Sequence, residues 1–126
     1  MTIHTTLINN MPEMVAIRRD LHEHPELGLE EVRPSDVIAR HLESYGYTVS
    51  RGIARTGLVA TLTNATSRKS IGIRADIDAL PILEETGLPY ASKTPGRMHA
   101  CGHDGHTAML LGAAKAIAER RNFDGT

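Results

Sequence analysis

Residues 99–106 read His-Ala-Cys-Gly-His-Asp-Gly-His and lead directly into a helical pattern that starts at Gly105. Three imidazoles, one carboxylate and the only cysteine of the chain fall within these eight positions. Thiolate and imidazole are typical ligands of zinc and related transition metals. Because the spacing differs from that of structural zinc fingers, the stretch predicts a catalytic metal site rather than a structural one.

Cys101 and His103 are the predicted ligands. Two residues apart on a helix point to different sides, whereas on an extended loop they can converge on one ion. The start of the following helix would favour a thiolate there. A buried cysteine with surface histidines is the plainer interpretation of a Cys-x-His pair alone, but Asp104, His106 and His99 close by favour a metal. A protease-like nucleophile, Cys101 with His103 or His106, is less favoured because a nucleophile and its base usually come from separate parts of the chain.

Two carboxylates follow a second informative stretch. Residues 70–75 are predicted to form a buried strand that runs into Asp76 and Asp78. Ligands bind at the carboxyl ends of strands in open α/β sheets, so these side chains are expected to orient a metal-bound group. A solvated turn is an equally good explanation of the two residues taken alone.

Other acidic residues and histidines carry weaker signals. The segment His22-Glu-His24-Pro lacks the four-residue histidine spacing of a zincin helix. We predict a structural role, in helix termination and loop hydrogen bonds, for His22, His24, Glu30 and Glu31. Glu84 and Glu85 are predicted to be solvated.

The pattern of apolar residues predicts helices and strands in the order α, α, β, α. The predicted helices are Met11–His24, Pro34–Tyr45 and Gly105–Arg120, and the predicted strands are residues 47–50, 57–63 and 70–75. In the first helix, Asn10 is the expected cap and Pro12 the first turn, with Met14, Ile17 and Leu21 facing inward. In the last helix, Asp104 is the expected cap, and the expected inner face is Leu110, Ala113, Ala114, Ile117 and Ala118.

These elements indicate an α/β fold with helices packed on an incomplete mixed sheet. A helix that crosses over a sheet normally delivers the chain to the next parallel strand, but only the turn-like residues 122–126 follow the last helix. We therefore expect an unpaired sheet edge and marginal stability or self-association.

The length, charge and cysteine content of the chain argue against several classes of function. A chain of 126 residues suits one domain. The 14 basic and 15 acidic residues form no basic stripe, which argues against a nucleic-acid partner. One cysteine fits a reducing, cytoplasmic location, and neither a signal peptide nor a membrane-spanning stretch of roughly 20 apolar residues is visible.

Four ordered blocks resemble the hippurate hydrolase family of N-acyl-amino-acid amidohydrolases, which are related to aminoacylases and zinc carboxypeptidases. The blocks are Arg18-Arg-Asp-Leu-His-Glu-His-Pro-Glu-Leu-Gly-Leu-Glu-Glu31, Gly57-Leu-Val-Ala60, Ile73-Arg-Ala-Asp-Ile-Asp-Ala-Leu-Pro81 and Met98-His-Ala-Cys-Gly-His-Asp-Gly-His-Thr-Ala-Met-Leu110. Together they cover nearly the whole chain.

The resemblance implies a hydrolase with two divalent metal ions (zinc, manganese, nickel or cobalt) that cleaves a small-molecule N-acyl amino acid. Cys101 and His103 would be metal ligands, and Asp76 the carboxylate that supports the metal centre. In the family mechanism, a glutamate deprotonates a metal-bound water, and that glutamate would lie beyond Thr126.

The resemblance also implies that residues 1–126 are the N-terminal portion of a catalytic domain. The rest of that domain and an inserted dimerisation domain, through which full-length homologues form homo-oligomers, are then absent. The chain alone is expected to be inactive. The alternative is a non-catalytic remnant that retains a metal- or substrate-binding surface.

Overall fold

The computed structural model describes residues 2–126, which form three helices and one two-stranded sheet. The helices are α1 (Ile3–Glu23), α2 (Val32–Ser44) and α3 (His103–Arg120), and the strands are β1 (Thr48–Ile53) and β2 (Gly57–Thr61). The predicted α/β class is confirmed, as is the order of the helices. None of the helices within these residues is long and apolar enough to cross a bilayer.

Helix α1 begins eight residues earlier than predicted, at Ile3 instead of Met11. Its cap is Thr2, whose hydroxyl accepts a hydrogen bond from Thr5 N at 3.2 Å, so the prediction of Asn10 as cap is wrong. Pro12 lies inside the helix. The ring removes one backbone donor, and the helix tolerates this because its carbonyl partner four residues earlier belongs to Ile8, which is exposed to solvent.

The core lies where the three helices meet. It consists of the predicted α1 stripe together with one face of α2 and two residues of α3: Met14, Ile17, Leu21, Ile38, Leu42, Leu111 and Ala114. The helices α1 and α3 approach closely at Gly112, where an added Cβ would lie 3.1 Å from Met14 Cγ. A larger residue at this position would therefore force Met14 to move.

The predicted inner face of α3 is largely wrong. The buried residues are Asp104, Thr107, Ala108, Leu111, Gly112, Ala114 and Ala116, whereas Ile117 is 37% exposed. The apolar residues of α3 are spread over most sides of the helix, so hydrophobicity alone does not determine which side is buried. The rotation is instead set by the polar residues of the first turn, which are described below.

The strands β1 and β2 form an antiparallel hairpin with Thr48 paired to Thr61 and a register shift between Arg51 and Ile53. The two strands predicted at residues 47–50 and 57–63 are thus confirmed in place, although β1 is longer and β2 shorter than expected.

The third predicted strand, residues 70–75, is wrong. Ile71 and Ile73 are 83% and 63% exposed. The only main-chain hydrogen bond donated by an amide of this segment, within the described residues, runs from Ile71 N to Thr126 O at 3.0 Å. An apolar, β-branched sequence favours extended backbone, but a strand also needs a neighbour that completes its ladder.

We expect fast amide hydrogen exchange across residues 72–75, because these amides have no main-chain acceptor in the structure. The comparison within the same protein is the β1–β2 ladder, whose amides are paired and should exchange more slowly. Exchange measured by NMR or mass spectrometry checks this, and equal protection of the two regions would contradict it.

Candidate metal centre

Three potential ligands converge at the start of α3. One ligand atom each of Asp76, His103 and His106 lies within 4.8 Å of the other two. The histidines are three residues apart on the first turn of the helix and so share a face. Asp76 comes from the preceding irregular segment, and its carbonyl accepts a hydrogen bond from Thr107 Oγ1 at 2.9 Å, which fixes that segment against α3.

The ring of His103 is oriented by Asp78. His103 Nδ1 lies 2.9 Å from Asp78 Oδ1 and 3.1 Å from Asp78 O, both of which are acceptors, so Nδ1 carries the hydrogen. The other nitrogen, Nε2, faces Asp76 Oδ2 at 3.6 Å. Two ligands about 2.1 Å from one tetrahedral ion are separated by about 3.4 Å, so this pair fits a zinc-like ion.

A carboxylate that holds the far nitrogen of a ligand histidine is the usual outer partner in a metal site, because it fixes the tautomer and raises the basicity of the ring. Asp78 occupies that place toward His103. Asp76, which the sequence suggested as a supporting carboxylate, lies on the ligand side of the ring together with His106.

The structure does not bring Cys101 into this cluster. Cys101 is a free, exposed cysteine, and the left-handed backbone of Gly102 (φ 93°) separates it from His103. The role of Cys101 as a ligand stays a prediction that the resemblance supports. The sequence predicts His106 as a flanking residue or as the less favoured base of a cysteine nucleophile, not as a ligand, although the three-residue spacing from His103 on a helix is a signal for a shared face.

Behind this cluster lies a group of four ionisable side chains, which we call the buried ion quartet: Arg18, His22, Glu84 and Asp104. The predicted capping role of Asp104 is wrong, since Gly102 is the cap residue of α3 and makes no side-chain cap. Asp104 instead points inward, where its Oδ2 lies 2.8 Å from both Arg18 Nε and His22 Nδ1. Its side chain has no exposed surface.

Glu84 completes the quartet, which corrects the prediction of a solvated side chain. Its side chain is only 3% exposed, and its Oε1 lies 3.0 Å from His22 Nε2. Thr86 Oγ1 and Ser92 N donate to its two oxygens at 2.6 and 2.7 Å. Burial acts to raise the pKa of Glu84, but these hydrogen bonds and His22 outweigh it and hold the pKa below the usual 4.5.

His99 lies beside the quartet, with its ring 6.3 Å from that of His22. It is 4% exposed, and neither of its ring nitrogens has a hydrogen-bond partner among the described residues. Burial lowers the pKa of His99 and so favours the neutral ring.

The remaining polar residues after α1 make the structural contacts expected from the sequence. His24 Nδ1 lies 2.8 Å from the carbonyl of Asp20, near the end of the helix. Glu31 Oε2 accepts a hydrogen bond from Thr56 Oγ1 at 2.6 Å, and Glu30 forms an ion pair with Arg97.

Known proteins resemble this chain in both sequence and structure. Residues 72–126 match the model of the peptidase family M20/M25/M40. The chain is 50% identical to the hippurate hydrolase of Campylobacter jejuni over 113 residues, which are 90% of this chain and 29% of the relative. It is 46% identical to the N-acyl-L-amino acid amidohydrolase of Geobacillus stearothermophilus, covering 87% of this chain and 30% of the relative.

Two solved structures superpose closely. A Bacillus subtilis protein, described as a dinuclear metal-binding peptidase of the M20 family, matches with a TM-score of 0.84 and 46% identity, over 88% of this chain and 32% of that one. A protein from methicillin-resistant Staphylococcus aureus matches with a TM-score of 0.92 and 42% identity, over 98% of this chain and 33% of that one.

The chain therefore spans about 30% of the length of the curated relatives it matches. The family resemblance seen in the four sequence blocks is confirmed: residues 72–126 match the M20/M25/M40 peptidase family, and the relatives that the chain resembles are named as amidohydrolases of this kind.

Proposed function

We propose that this chain supplies part of the metal centre of an amidohydrolase that cleaves the amide bond of N-acyl amino acids, such as hippurate. The observation that carries the proposal is the convergence of Asp76, His103 and His106, with His103 already oriented by Asp78. The names of two relatives, a hippurate hydrolase and an N-acyl-L-amino acid amidohydrolase, support the substrate class.

The donor set fits a divalent transition metal. Imidazole nitrogen and a carboxylate oxygen are ligands of zinc, and the described geometry needs only small side-chain movements to close on one ion. We propose His103 and Asp76 as residues at this site, His106 from its position and Cys101 from the resemblance. When bound, the metal would polarise the amide carbonyl and make a bound water more acidic.

The chain's own residues set the conditions for this chemistry. Asp78 keeps the lone pair of His103 Nε2 available on the side that faces Asp76. Thr107 ties the segment that carries Asp76 to the helix that carries both histidines. The proposed ligands are thus held together by contacts between two separate parts of the chain.

The rest of the active site is proposed to lie elsewhere. The described cluster holds no glutamate, so we place the general base and further ligands outside residues 1–126. On this proposal, residues 1–126 form the N-terminal portion of a catalytic domain, and an inserted domain mediates homo-oligomerisation in the whole protein. A relative described as dinuclear supports two ions per complete site. Zinc, manganese, nickel and cobalt remain the candidates, and a cytoplasmic location stays a prediction.

The second candidate is a metal- or substrate-binding remnant without turnover. The absence of a glutamate from the described cluster favours it for the 126-residue chain itself. On either candidate we expect no measurable release of benzoate from hippurate by the chain as given. The two candidates are separated by the extended polypeptide described next, which hydrolyses hippurate only on the first.

The direct test uses a polypeptide in which this region is extended to the length of its relatives. We expect hydrolysis of hippurate or of an N-acetyl amino acid that is lost on chelation and restored by zinc, manganese, nickel or cobalt. Alkylation of Cys101 serves as the control for a cysteine nucleophile. Activity that survives chelation but disappears on alkylation would overturn the proposal.

A further inference from the structure

No capping side chain fixes the direction of the first turn of α3. Gly102 precedes the helix in a left-handed conformation and provides no side-chain cap. His103 and His106 both lie on this turn, so their positions depend on whatever fixes it. The only fully buried side chain of the turn is that of Asp104, which the quartet holds from the far side.

The quartet joins three distant parts of the chain. Asp104 belongs to α3, Arg18 and His22 to α1, and Glu84 to the irregular segment between β2 and α3. Glu84 is anchored in turn by Thr86 and by the amide of Ser92. A continuous path of hydrogen bonds therefore runs from residue 92 through Glu84 and His22 to the residue next to His103.

The ring of His22 bridges the two carboxylates of the quartet. Its Nδ1 lies 2.8 Å from Asp104 Oδ2 and its Nε2 lies 3.0 Å from Glu84 Oε1. Arg18 lies beside the same ring, with Nη2 3.4 Å from His22 Nδ1, and pairs with Asp104. A neutral residue in place of Glu84 would leave His22 with no charged partner on that side.

We infer that Glu84 and His22 are positioning residues for the metal centre: through Asp104 they fix the first turn of α3 and hence the placement of His103 and His106. The inference rests on the proposed function, because it concerns the same candidate ligands. Neither Glu84 nor His22 belongs to the described ligand cluster itself.

The test compares Glu84→Gln with Glu85→Gln in the 126-residue chain. The first substitution keeps the shape of a buried side chain and removes its charge, while the second makes the same change at the exposed neighbour. Titration with Co²⁺, followed by its visible absorption, measures affinity and ligand geometry. We expect Glu84→Gln to weaken Co²⁺ binding by several-fold, less than the about 10–100-fold that follows the loss of a direct outer partner of a ligand, and to change the spectrum. Glu85→Gln should match the unsubstituted chain.

A second readout needs no metal. Long-range ¹H–¹⁵N NMR spectra of the metal-free protein report which nitrogen of His103 carries the hydrogen. We expect Glu84→Gln to lower the share of the Nδ1–H form and Glu85→Gln to leave it unchanged. Thr86→Val, which removes one surface donor to Glu84, should shift both readouts in the same direction by less and covers the case in which Glu84→Gln fails to fold.

The outcomes separate this inference from the proposed function. If the unsubstituted chain and Glu84→Gln bind Co²⁺ equally and give the same His103 spectrum, the positioning role is wrong and the metal site stands. If the unsubstituted chain binds no Co²⁺, the proposed function loses its support. The NMR comparison then still decides whether Glu84 fixes His103.

Discussion

Replacement of Asp104 by Asn is expected to lower the free energy of unfolding by about 3–5 kcal/mol, the cost of leaving a buried ion without its counter-charge. The carboxylate of Asp104 is fully buried, and its Oδ2 is the partner of both Arg18 and His22. The side chain of Arg18 is 35% exposed and can turn to water, but that of His22 is only 3% exposed and cannot. Urea denaturation followed by circular dichroism measures the loss. The free energy of unfolding of a chain of this size is roughly 5–15 kcal/mol, so the variant would be close to unfolding.

The matched control is Asp36→Asn, which is the same chemical change at the surface. Asp36 forms ion pairs with Arg40 and Arg51 at 3.1 and 2.9 Å, and its side chain is 46% exposed. Exposed ion pairs contribute about 0–1 kcal/mol, so this variant should unfold at nearly the same urea concentration as the unsubstituted chain. Equal losses of unfolding free energy for the two substitutions would show that the quartet stabilises the fold no more than a surface ion pair does.

The sequence predicts those elements whose stability is local. The spacing of Met14, Ile17 and Leu21 predicts the buried face of α1, because a regular stripe leaves one choice of inward side. The pattern around β1 and β2 predicts two strands, and in the structure these neighbours pair across a short turn. These predictions depend only on residues close together in the chain.

Predictions that depend on distant partners are less successful. The segment 70–75 has a strand-like sequence, but within residues 2–126 nothing pairs with it along its length. The buried face of α3 is decided by Asp104, whose partner Arg18 lies on another helix. Asp104 looks like a helix cap in the sequence because nothing local reveals the distant partners it meets.

In the candidate site, too, residues marked by a local motif are predicted better than residues whose burial depends on distant partners. The motif from His99 to His106 contains both histidines of the candidate cluster, and Asp76, which follows an extended stretch, lies close to them. Glu84 is missed as a buried residue because glutamate in an irregular segment is usually solvated. Its burial follows from His22, which is 62 positions away in the chain.

Replacement of His103 by Ala is expected to remove metal binding more completely than any other single change. His103 is the candidate ligand on which the resemblance and the geometry agree, since its Nδ1 is held by Asp78 and its Nε2 faces Asp76. Loss of an outer partner already costs about 10–100-fold in affinity, so loss of the ligand itself should exceed that range. Titration of the 126-residue chain with Zn²⁺ or Co²⁺ by calorimetry measures the change.

The control is His4→Ala, which removes an exposed imidazole from the far end of α1 and should leave the affinity unchanged. Two further variants then identify the remaining ligands. Loss of affinity in His106→Ala supports the cluster as it is folded, whereas loss of a thiolate-to-Co²⁺ absorption band in Cys101→Ser supports the ligand pair implied by the resemblance. Tight, unchanged binding in His103→Ala would contradict both, because the two sets of ligands have this imidazole in common.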